Sequence, residues 1–512
     1  MRLFPGFTAW EFESAGAGPF LADGRLGGLL SGRVRIEAVN TTSQLTRGLT
    51  SGQVAMIALS GALGTGLFLG SGSVIALAGP ATVFSYAIAG ALALAIVWAL
   101  AEMVTVHPVP GGHGAVAASY LGRFGGFVTR WNFAITMMVA VGAEVVASAT
   151  YLTYWFPTLP LWLGTVLCSV FIGALNMFSV HLYGSSEYWF SMVKVVAIVV
   201  FILLGLAVVV GVVPGHDAAG VANLTSEGGF MPKGVSGMLA AACMAVFAFG
   251  GIENVSVGAA ETANPRRDIP RAAHTMIWRL LIFYVGAILV VLMLQPWTET
   301  AAHSGTVEQS PFVKVLSLTG VTGAAHIMNA VLIVAALSAA NGCLYSSSRM
   351  FHSLAVDGEA PRFAAHTSIK GAPRGAVLLA MAGMAVAAAL AILSPGNVFM
   401  WLYGMATIGI LVTWFMVMAT HLAFRRKRAQ AGLPLAPNRL WASPVTNAVV
   451  LASTVAIFVA LYWLMPIVWY AGVPYILALS IGFWALSRVR ELPEPRDLLA
   501  ESLAVQEAER AS

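Results

Sequence analysis

The chain has 512 residues, of which 58% are hydrophobic and only 10% are charged. In a soluble globular protein about a quarter of the residues are charged, because they cover the surface that faces water. The composition therefore excludes a soluble protein and predicts a chain that crosses a membrane many times. The formal net charge of +5 by itself indicates no particular partner.

Residues 1–48 precede the apolar segments. They mix Glu11, Glu13 and Asp23 with glycines, and they lack the charged, apolar and cleavable regions of a signal peptide. We expect residues 1–48 to form a cytoplasmic N-terminal tail. Residues 491–512 alternate acidic and apolar residues, so we expect a cytoplasmic C-terminal tail with a short surface helix.

Apolar stretches long enough to span a bilayer recur along residues 49–490, since a span needs about 20 such residues. The twelve candidate segments are 52–75, 81–104, 128–153, 161–180, 188–213, 235–258, 275–295, 324–347, 375–394, 397–421, 443–463 and 466–487. No long polar region separates them. Residues 49–490 are therefore predicted to form one all-α polytopic membrane domain with 12 transmembrane helices.

The basic residues of the connecting loops fall almost entirely on one side of this topology. With the first segment entering from the cytoplasm, fifteen lie on the cytoplasmic side: Arg123, Arg130, Arg266, Arg267, Arg271, Arg279, Arg349, Arg362, Lys370, Arg374, Arg425, Arg426, Lys427, Arg428 and Arg439. The opposite loops contain only Lys233 and Lys314. Cytoplasmic loops are enriched in Lys and Arg, which predicts that both termini are cytoplasmic. The run Arg425–Arg428 is explained by topology and lipid headgroups, so no nucleic-acid partner is expected.

Segments 1 and 6 are each interrupted at mid-depth by glycine-rich polar residues, at 60–66 and 249–254. Four uninterrupted segments follow each of them, which predicts a 5+5 inverted repeat with helices 1 and 6 broken and segments 11 and 12 outside the repeat. Broken helices are tolerated inside a bilayer where the freed N–H and C=O groups face a cavity or other protein. The plainer alternative is that these glycines only permit close helix packing.

Signs of enzymatic chemistry are missing from the sequence. There is no phosphate loop, no HExxH zinc motif and no GxSxG nucleophile motif, and all five aspartates lie outside the predicted spans. Cys168, Cys243 and Cys343 lie inside apolar segments, where cysteine behaves as a small hydrophobe. We therefore expect no enzyme, no metal site and no cofactor.

Short motifs follow one another in order from about residue 43 to residue 490. They are Leu45–Leu49, Gly61–Gly72, Pro108–Gly112, Tyr154–Pro157, Ala174–Asn176, Trp189–Val195, Gly251–Glu253, Glu261–Ala272 and the set Ser338, Asn341, Tyr345, Ser347, Ser348 and Arg349. This series resembles the amino acid permeases of the amino acid–polyamine–organocation superfamily, in the bacterial branch that takes up amino acids by proton symport. The resemblance implies a leucine-transporter-like fold in the inner membrane. His113–Gly114 and Ser185–Glu187 depart from the usual pattern.

The two interruptions are the candidate substrate site, because a zwitterion in a low-dielectric cavity needs both of its charges satisfied. Main-chain N–H groups near Gly64, Thr65 and Gly66 can hold a carboxylate, and carbonyl groups can take the ammonium group. The residues predicted to present those carbonyls are Ser60 and Gly61 in segment 1 and Phe247, Phe249 and Gly250 in segment 6. Phe247 and Phe249 are also candidate gates, together with Trp401 and Tyr403.

Ionisable residues inside the spans are candidates for proton coupling, because they are costly in a membrane. Glu253 lies in the second interruption, where the alternative is a neutral hydrogen-bonding strut. Lys194 lies in segment 5, where the alternative is a side chain that reaches the membrane surface. The resemblance implies that such a lysine stands at the cation site of sodium-coupled members of the fold.

Two further polar residues are candidate pocket residues. Glu144 in segment 3 can line the pocket or pair with a neighbouring helix. Asn341, with Ser338 on the same face of segment 8, can hydrogen-bond toward the first interruption or join two packed helices. A cytoplasmic ion-pair latch is expected from Glu261, Arg266, Arg267 and Arg271, with Arg349 as a further partner.

These features together predict a proton-coupled importer of amino acids, with the amino acid, the proton and the lipid bilayer as its partners. The sequence leaves open an exchanger of amino acids or amines. It also leaves open a channel or receptor that does not transport.

Overall fold

The computed structural model describes residues 52–53, 56, 64–68, 70–178, 180–213, 218–302, 312–313, 315, 323–368, 371–436 and 438–511. All of them belong to the unit Thr41–Ser512. The predicted N-terminal tail lies outside the described residues, and so do Ser60 and Gly61 of the first interruption.

The described residues form α-helices and short 3-10 turns, and no strand occurs among them. The α-helices are α1 (Thr65–Phe68), α2 (Ser71–Ala78), α3 (Thr82–Val106), α4 (Gly112–Thr153), α5 (Leu161–Phe178), α6 (Val180–Val210), α7 (Gly234–Ala245), α8 (Asn254–Val257), α9 (Pro265–Leu294), α10 (Trp297–Ala302), α11 (Ala324–Val356), α12 (Arg374–Leu393), α13 (Val398–Gln430), α14 (Val445–Leu464), α15 (Pro466–Val489) and α16 (Leu498–Ala511).

Eleven stretches of the described chain are long and apolar enough to cross a membrane. Segments 2 to 5 correspond to α3–α6, segment 6 to α7 and α8, segment 7 to α9, and segments 8 to 12 to α11–α15. Segment 1 is described only in part, so the count of 12 helices and the repeat remain predictions. The chain is a multi-pass, all-helical membrane protein, as expected when lipid leaves no water to satisfy backbone groups.

The start of α9 illustrates how local sequence sets a helix end. Asn264 precedes the helix, Pro265 occupies its first position, and Asp268 lies in its first turn. Proline at this position loses no hydrogen bond, because the first N–H groups of a helix have no partner within it. The negative charge of Asp268 opposes the positive end of the helix dipole. The motif Glu261–Ala272 thus encodes the turn into segment 7.

Helix α4 lies at the centre of the described helices and packs against α5, α11, α12 and α13. A second group is formed by α3, α7 and α9, and α6 packs on both groups through α9 and α11. The last two spans are peripheral. On α15, for example, Tyr470 is 72% exposed, which is the pattern of a side chain that faces lipid.

Three helix ends differ from the sequence-based expectation. Gly122 has φ 84° and ψ −178°, so it breaks α4 and separates a short helix from segment 3. Helix α6 begins at Val180 rather than at 188, which places Glu187 inside a helix, and α11 runs on to Val356. The polar residues of these extensions lower the mean hydropathy, so hydropathy alone does not detect the extensions. In the folded protein, neighbouring helices satisfy these polar residues.

The C-terminal helix α16 lies in the stretch for which a short surface helix was predicted. It packs against the ends of the membrane helices. The amide of Leu498 donates to Ser119 Oγ at 3.1 Å, and Arg428 Nη1 donates to Ser502 Oγ at 3.3 Å.

In this region His107 is hydrogen-bonded to the Tyr120 hydroxyl at 3.0 Å. Burial lowers the pKa of His107 to about 4, and the charge of Arg428 adds to this effect. The imidazole is therefore neutral near pH 7.

Candidate functional site

Segment 6 is not a continuous helix. Helix α7 ends at Ala245, a 3-10 turn covers Val246–Phe249, and α8 begins at Asn254. Between them Gly250 is extended, with φ −59° and ψ 143°, and Gly251 has φ +95°. An L-residue rarely adopts the conformation of Gly251, so glycine is required there. The interruption lies where the sequence predicted it.

The described part of segment 1 is also irregular and touches the interruption of segment 6. Gly64 precedes α1, and Gly70 separates α1 from α2. A Cβ added to Gly66 would lie 2.7 Å from the Cα of Ala248, and one added to Gly64 would lie 2.7 Å from Glu144 Oε1. Glycine at 66 therefore permits direct contact between segments 1 and 6, and glycine at 64 permits the close approach of Glu144 on α4, as the packing alternative proposed.

Glu144 on α4 binds the start of α1. The backbone amide of Thr65 donates to Glu144 Oε1 at 3.3 Å, and the Thr65 hydroxyl donates to the same oxygen at 3.0 Å. The side chain of Glu144 is buried. The Thr65 amide predicted to hold a substrate carboxylate is thus already bonded to a carboxylate of the protein.

Glu253 connects the interruption of segment 6 to α13. Its carboxylate accepts from Trp414 Nε1 at 2.5 Å and from the amide of Gly251 at 2.9 Å. Glu253 is completely buried. In this conformation the side chain holds the interrupted backbone in place.

The two phenylalanines of the interruption face different helices. The ring of Phe247 lies 3.7 Å from that of Tyr403 on α13, measured between centroids. The ring of Phe249 stacks on Tyr284 of α9 at 4.6 Å, and the Tyr284 hydroxyl donates to the carbonyl of Ala248. Trp401, by contrast, is 38% exposed. Among the predicted aromatic gates, Phe247 and Tyr403 are therefore the ones in mutual contact.

Lys194 and Asn341 both lie near a carboxylate that the sequence-based prediction did not include. Lys194 on α6 is fully buried, and its charge interacts with those of Glu187 and Glu144. Asn341 Nδ2 on α11 donates to Glu187 Oε2 at 2.6 Å. Asn341 Oδ1 accepts from Asn176 Nδ2 at 2.8 Å. Glu187 could have been found from its spacing, because it precedes Lys194 by two helical turns.

Residues 53–491 match the family model described as amino acid permease. The chain belongs to the amino acid permease family. The Aromatic amino acid transport protein AroP of Salmonella typhimurium (strain SL1344) is 36% identical over 449 residues, which cover 86% of this chain and 95% of that protein. AroP of Escherichia coli (strain K12) is 38% identical over 390 residues, covering 76% and 84%. The Probable threonine/serine transporter YbxG of Bacillus subtilis (strain 168) is 34% identical over 421 residues, covering 82% and 90%. The predicted relationship to the superfamily is confirmed.

A buried ion pair joins segments 6 and 8 of the permease at the side that carries most of the loop arginines. Arg349 Nε donates to Glu261 Oε1 at 3.1 Å, and the Tyr345 hydroxyl donates to Glu261 Oε2 at 2.8 Å. The guanidinium of Arg349 also lies 4.0 Å from the centroid of the Tyr345 ring. The predicted contact between Glu261 and Arg349 is confirmed.

Two more buried ion pairs lie outside the candidate site. Arg130 Nη2 donates to Glu359 Oε2 at 2.8 Å. Glu102 accepts from Arg425 Nε at 2.8 Å and from the amide of Leu440 at 2.8 Å. In the part of the permease that the structure describes, no group of His, Cys, Asp or Glu side chains is arranged to hold a metal ion.

Proposed function

We propose that this permease imports an L-amino acid, or a closely related amino acid such as γ-aminobutyrate, by symport with protons across the bacterial inner membrane, with both termini in the cytoplasm. One observation carries the proposal. Segment 6 is interrupted at Gly250 and Gly251, and the 3-10 turn just before them lies against Gly66 of segment 1, where an added Cβ would be 2.7 Å from the Cα of Ala248. Interrupted helices that meet at mid-membrane are the arrangement in which transporters bind small charged substrates.

The main chain at these interruptions supplies partners for a zwitterion. Gly250 and Gly251 do not continue the helical ladder, and their amides are bonded to the carbonyl of Phe247 and to Glu253, so this interruption is proposed to offer main-chain carbonyl groups to the ammonium group of the ligand. The Thr65 amide is bonded to Glu144, so a substrate carboxylate there must displace Glu144 or use other donors. Two carboxylates at one donor repel each other unless one takes a proton. Substrate binding and protonation of Glu144 are therefore expected to favour each other.

Proton coupling is supported by the ionisable residues buried in the membrane domain. Lys194 and Glu253 are both completely buried, and such groups inside a membrane commonly belong to an ion or proton pathway. We propose these two as the proton-linked residues. One proton that moves through 100 mV releases about 2.3 kcal/mol, which permits roughly fifty-fold accumulation.

Side-chain preference depends on the residues that line the pocket beside the interruptions. The names of the relatives refer to aromatic amino acids in one case and to threonine and serine in another. We propose that Phe247 and Tyr403 form the wall of the pocket that contacts the substrate side chain. Competition of all twenty amino acids against a radiolabelled mixture, in vesicles with an imposed proton gradient, identifies the substrate.

Uptake into proteoliposomes tests the mode of transport. The proposal predicts that empty vesicles accumulate the amino acid when the outer medium is acidified, and that a protonophore abolishes this accumulation. An exchanger would instead require amino acid inside the vesicles. A channel or receptor would give no saturable, protonophore-sensitive uptake. Either of these outcomes would overturn proton symport.

A further inference from the structure

Helix α6 carries three polar residues on one face within an otherwise apolar span. Glu187, Ser191 and Lys194 follow each other at intervals of four and three residues, the spacing that aligns side chains on a helix. All three are completely buried. The helix also packs on both helix groups, through α9 and through α11. A change on this face therefore affects how the two groups are joined.

The carboxylate of Glu187 is bound by donors from the neighbouring helix α11 and from its own helix. Ser338 Oγ on α11 donates to Oε1, and Asn341 Nδ2 donates to Oε2 at 2.6 Å. Ser191 Oγ lies 3.3 Å from Glu187 Oε1 and 3.3 Å from the carbonyl oxygen of Met56 in segment 1. An ionised carboxylate only accepts hydrogen bonds, so a set of donors suits the charged form.

A buried negative charge of this kind needs a positive partner, because an unpaired ion in a low-dielectric interior is costly. Side chains on a helix lean toward its N-terminus, so the chain of Lys194 points in the direction of Glu187. The charge of Lys194 interacts with those of Glu187 and Glu144. The two carboxylates differ in their attachment. Glu144 is bonded to Thr65 of segment 1, whereas Glu187 is bonded to α11.

We propose that Glu187 is the fixed counter-charge of Lys194 and positions its amine for the proton step of transport. This inference rests on the proposed function, which names Lys194 as a proton-linked residue. Glu187 stays attached to Ser338 and Asn341, while Glu144 releases Thr65 when the substrate carboxylate binds there. Glu187 thus keeps the buried amine charged, and the bond between Glu144 and Thr65 depends on whether the substrate site is occupied. Glu187 is a positioning residue and does not contact the substrate.

Other titratable groups face the same region and must stay unchanged in a test. Glu144 faces it from α4 and Cys343 from α11, and Tyr183 lies on α6 itself. The ring of Tyr183 stacks on that of Tyr345 at 4.0 Å, which connects it to the pair of Glu261 and Arg349. Substitution of Glu187 leaves all of these groups in place.

The pH dependence of transport by Glu187→Gln tests the proposal. Glutamine keeps one oxygen that can accept from Asn341 and an amide group that can donate to the Ser338 hydroxyl, but it removes the negative charge, so Lys194 holds its proton only in more acidic medium. We expect the pH at half-maximal transport to fall by about one unit or more. The measurement is counterflow of the radiolabelled amino acid found in the competition assay, with equal pH on both sides of the vesicle. It needs no proton gradient.

Two further variants separate charge from hydrogen bonding. Ser338→Ala removes one donor but keeps the charge, so its midpoint is expected to stay within a few tenths of a pH unit of wild type. Glu187→Asp keeps the charge and moves it back by one methylene, so we expect a smaller shift in the same direction. If Glu187→Gln does not give folded protein, Glu187→Asp carries the test.

The outcomes are distinct. A lower midpoint for Glu187→Gln with an unchanged midpoint for Ser338→Ala supports the counter-charge. Superimposable profiles of wild type and Glu187→Gln, or of wild type and Glu187→Asp where only that variant folds, overturn it. Equal midpoint shifts in Glu187→Gln and Ser338→Ala also overturn it, because they indicate a purely structural role. Failure of wild-type vesicles to accumulate substrate after acidification refutes proton symport instead, and the counterflow profiles still test the pairing.

Discussion

The indole of Trp414 and the carboxylate of Glu253 are joined by a hydrogen bond of 2.5 Å, which attaches the interruption of segment 6 to α13. The same carboxylate accepts from Gly251, the residue with φ +95°. Glu253 therefore stabilises the unusual backbone conformation of Gly251 in two ways, by accepting from its amide and by bonding to Trp414 on α13. Any movement of α13 relative to segment 6 must break or stretch the bond to Trp414.

Trp414→Phe removes the indole donor and keeps an aromatic ring in the same place. A hydrogen bond to a charged group contributes about 1.5–3 kcal/mol, so we expect substrate affinity to weaken by roughly ten- to a hundredfold. The KM of uptake and the thermal unfolding temperature measure the effect. Trp463→Phe is the matched control, since Trp463 is 72% exposed and should change neither quantity. An unchanged KM in Trp414→Phe would show that this bond does not shape the site.

Lys194→Ala removes the buried amine of α6. We expect accumulation driven by a pH step to fall at least tenfold, because the proposed proton-linked group is gone. Glu253→Gln, tested separately, keeps the shape of the carboxyl group and should reduce accumulation if Glu253 exchanges the proton. Radiolabelled uptake into empty proteoliposomes measures both. Full accumulation in both variants would mean that neither residue is linked to the proton.

Gly66→Ala places a methyl group 2.7 Å from the Cα of Ala248, which is backbone and cannot move aside alone. Overpacking of this kind costs about 1–3 kcal/mol, and here it separates the two segments of the site. We expect transport to fall more than tenfold while the protein still inserts into the membrane. Gly258→Ala is the control in segment 6, because a Cβ there meets nothing within 4 Å. Equal transport activity of Gly66→Ala and Gly258→Ala would contradict this prediction.

The sequence predicted the interruption of segment 6 well, because glycine is unfavourable inside a helix and two adjacent glycines at 250 and 251 indicate a break. It could not predict that Glu144 bonds to Thr65, since this contact joins residues 79 positions apart. Glu187 was overlooked for a different reason. Hydropathy placed the start of segment 5 at 188, although the helix begins at Val180 and donors on α11 satisfy the carboxylate.

Arg349→Met breaks the buried ion pair with Glu261 and leaves a carboxylate without its cation. Loss of one partner of a buried pair costs about 3–5 kcal/mol. We expect a lower thermal unfolding temperature in Arg349→Met, and a smaller loss in the double variant with Glu261→Gln because no bare charge remains. A double-mutant cycle on unfolding in detergent measures the coupling. Additive effects of the two substitutions would exclude a direct contribution of the pair.

Tyr403→Ala removes the ring that lies against Phe247 and enlarges the proposed side-chain pocket. We expect bulky amino acids to compete better than in wild type, by several-fold, whereas small ones lose affinity. Tyr403→Phe keeps the ring and loses only the hydrogen bond from the hydroxyl to the carbonyl of Met244 at 3.2 Å, so its competition profile should stay close to wild type. The twenty-amino-acid competition assay makes the comparison. Identical profiles for wild type and Tyr403→Ala would remove this ring from the pocket.

The central claim is that the interruptions of segments 1 and 6 together hold the amino acid. A density map of the permease with its transported amino acid bound tests this most directly. We predict density for the zwitterion between Gly64–Gly66 and Gly250–Glu253, with the bond between Glu144 and Thr65 altered. Density for the amino acid at another place, with both interruptions empty, would contradict the claim.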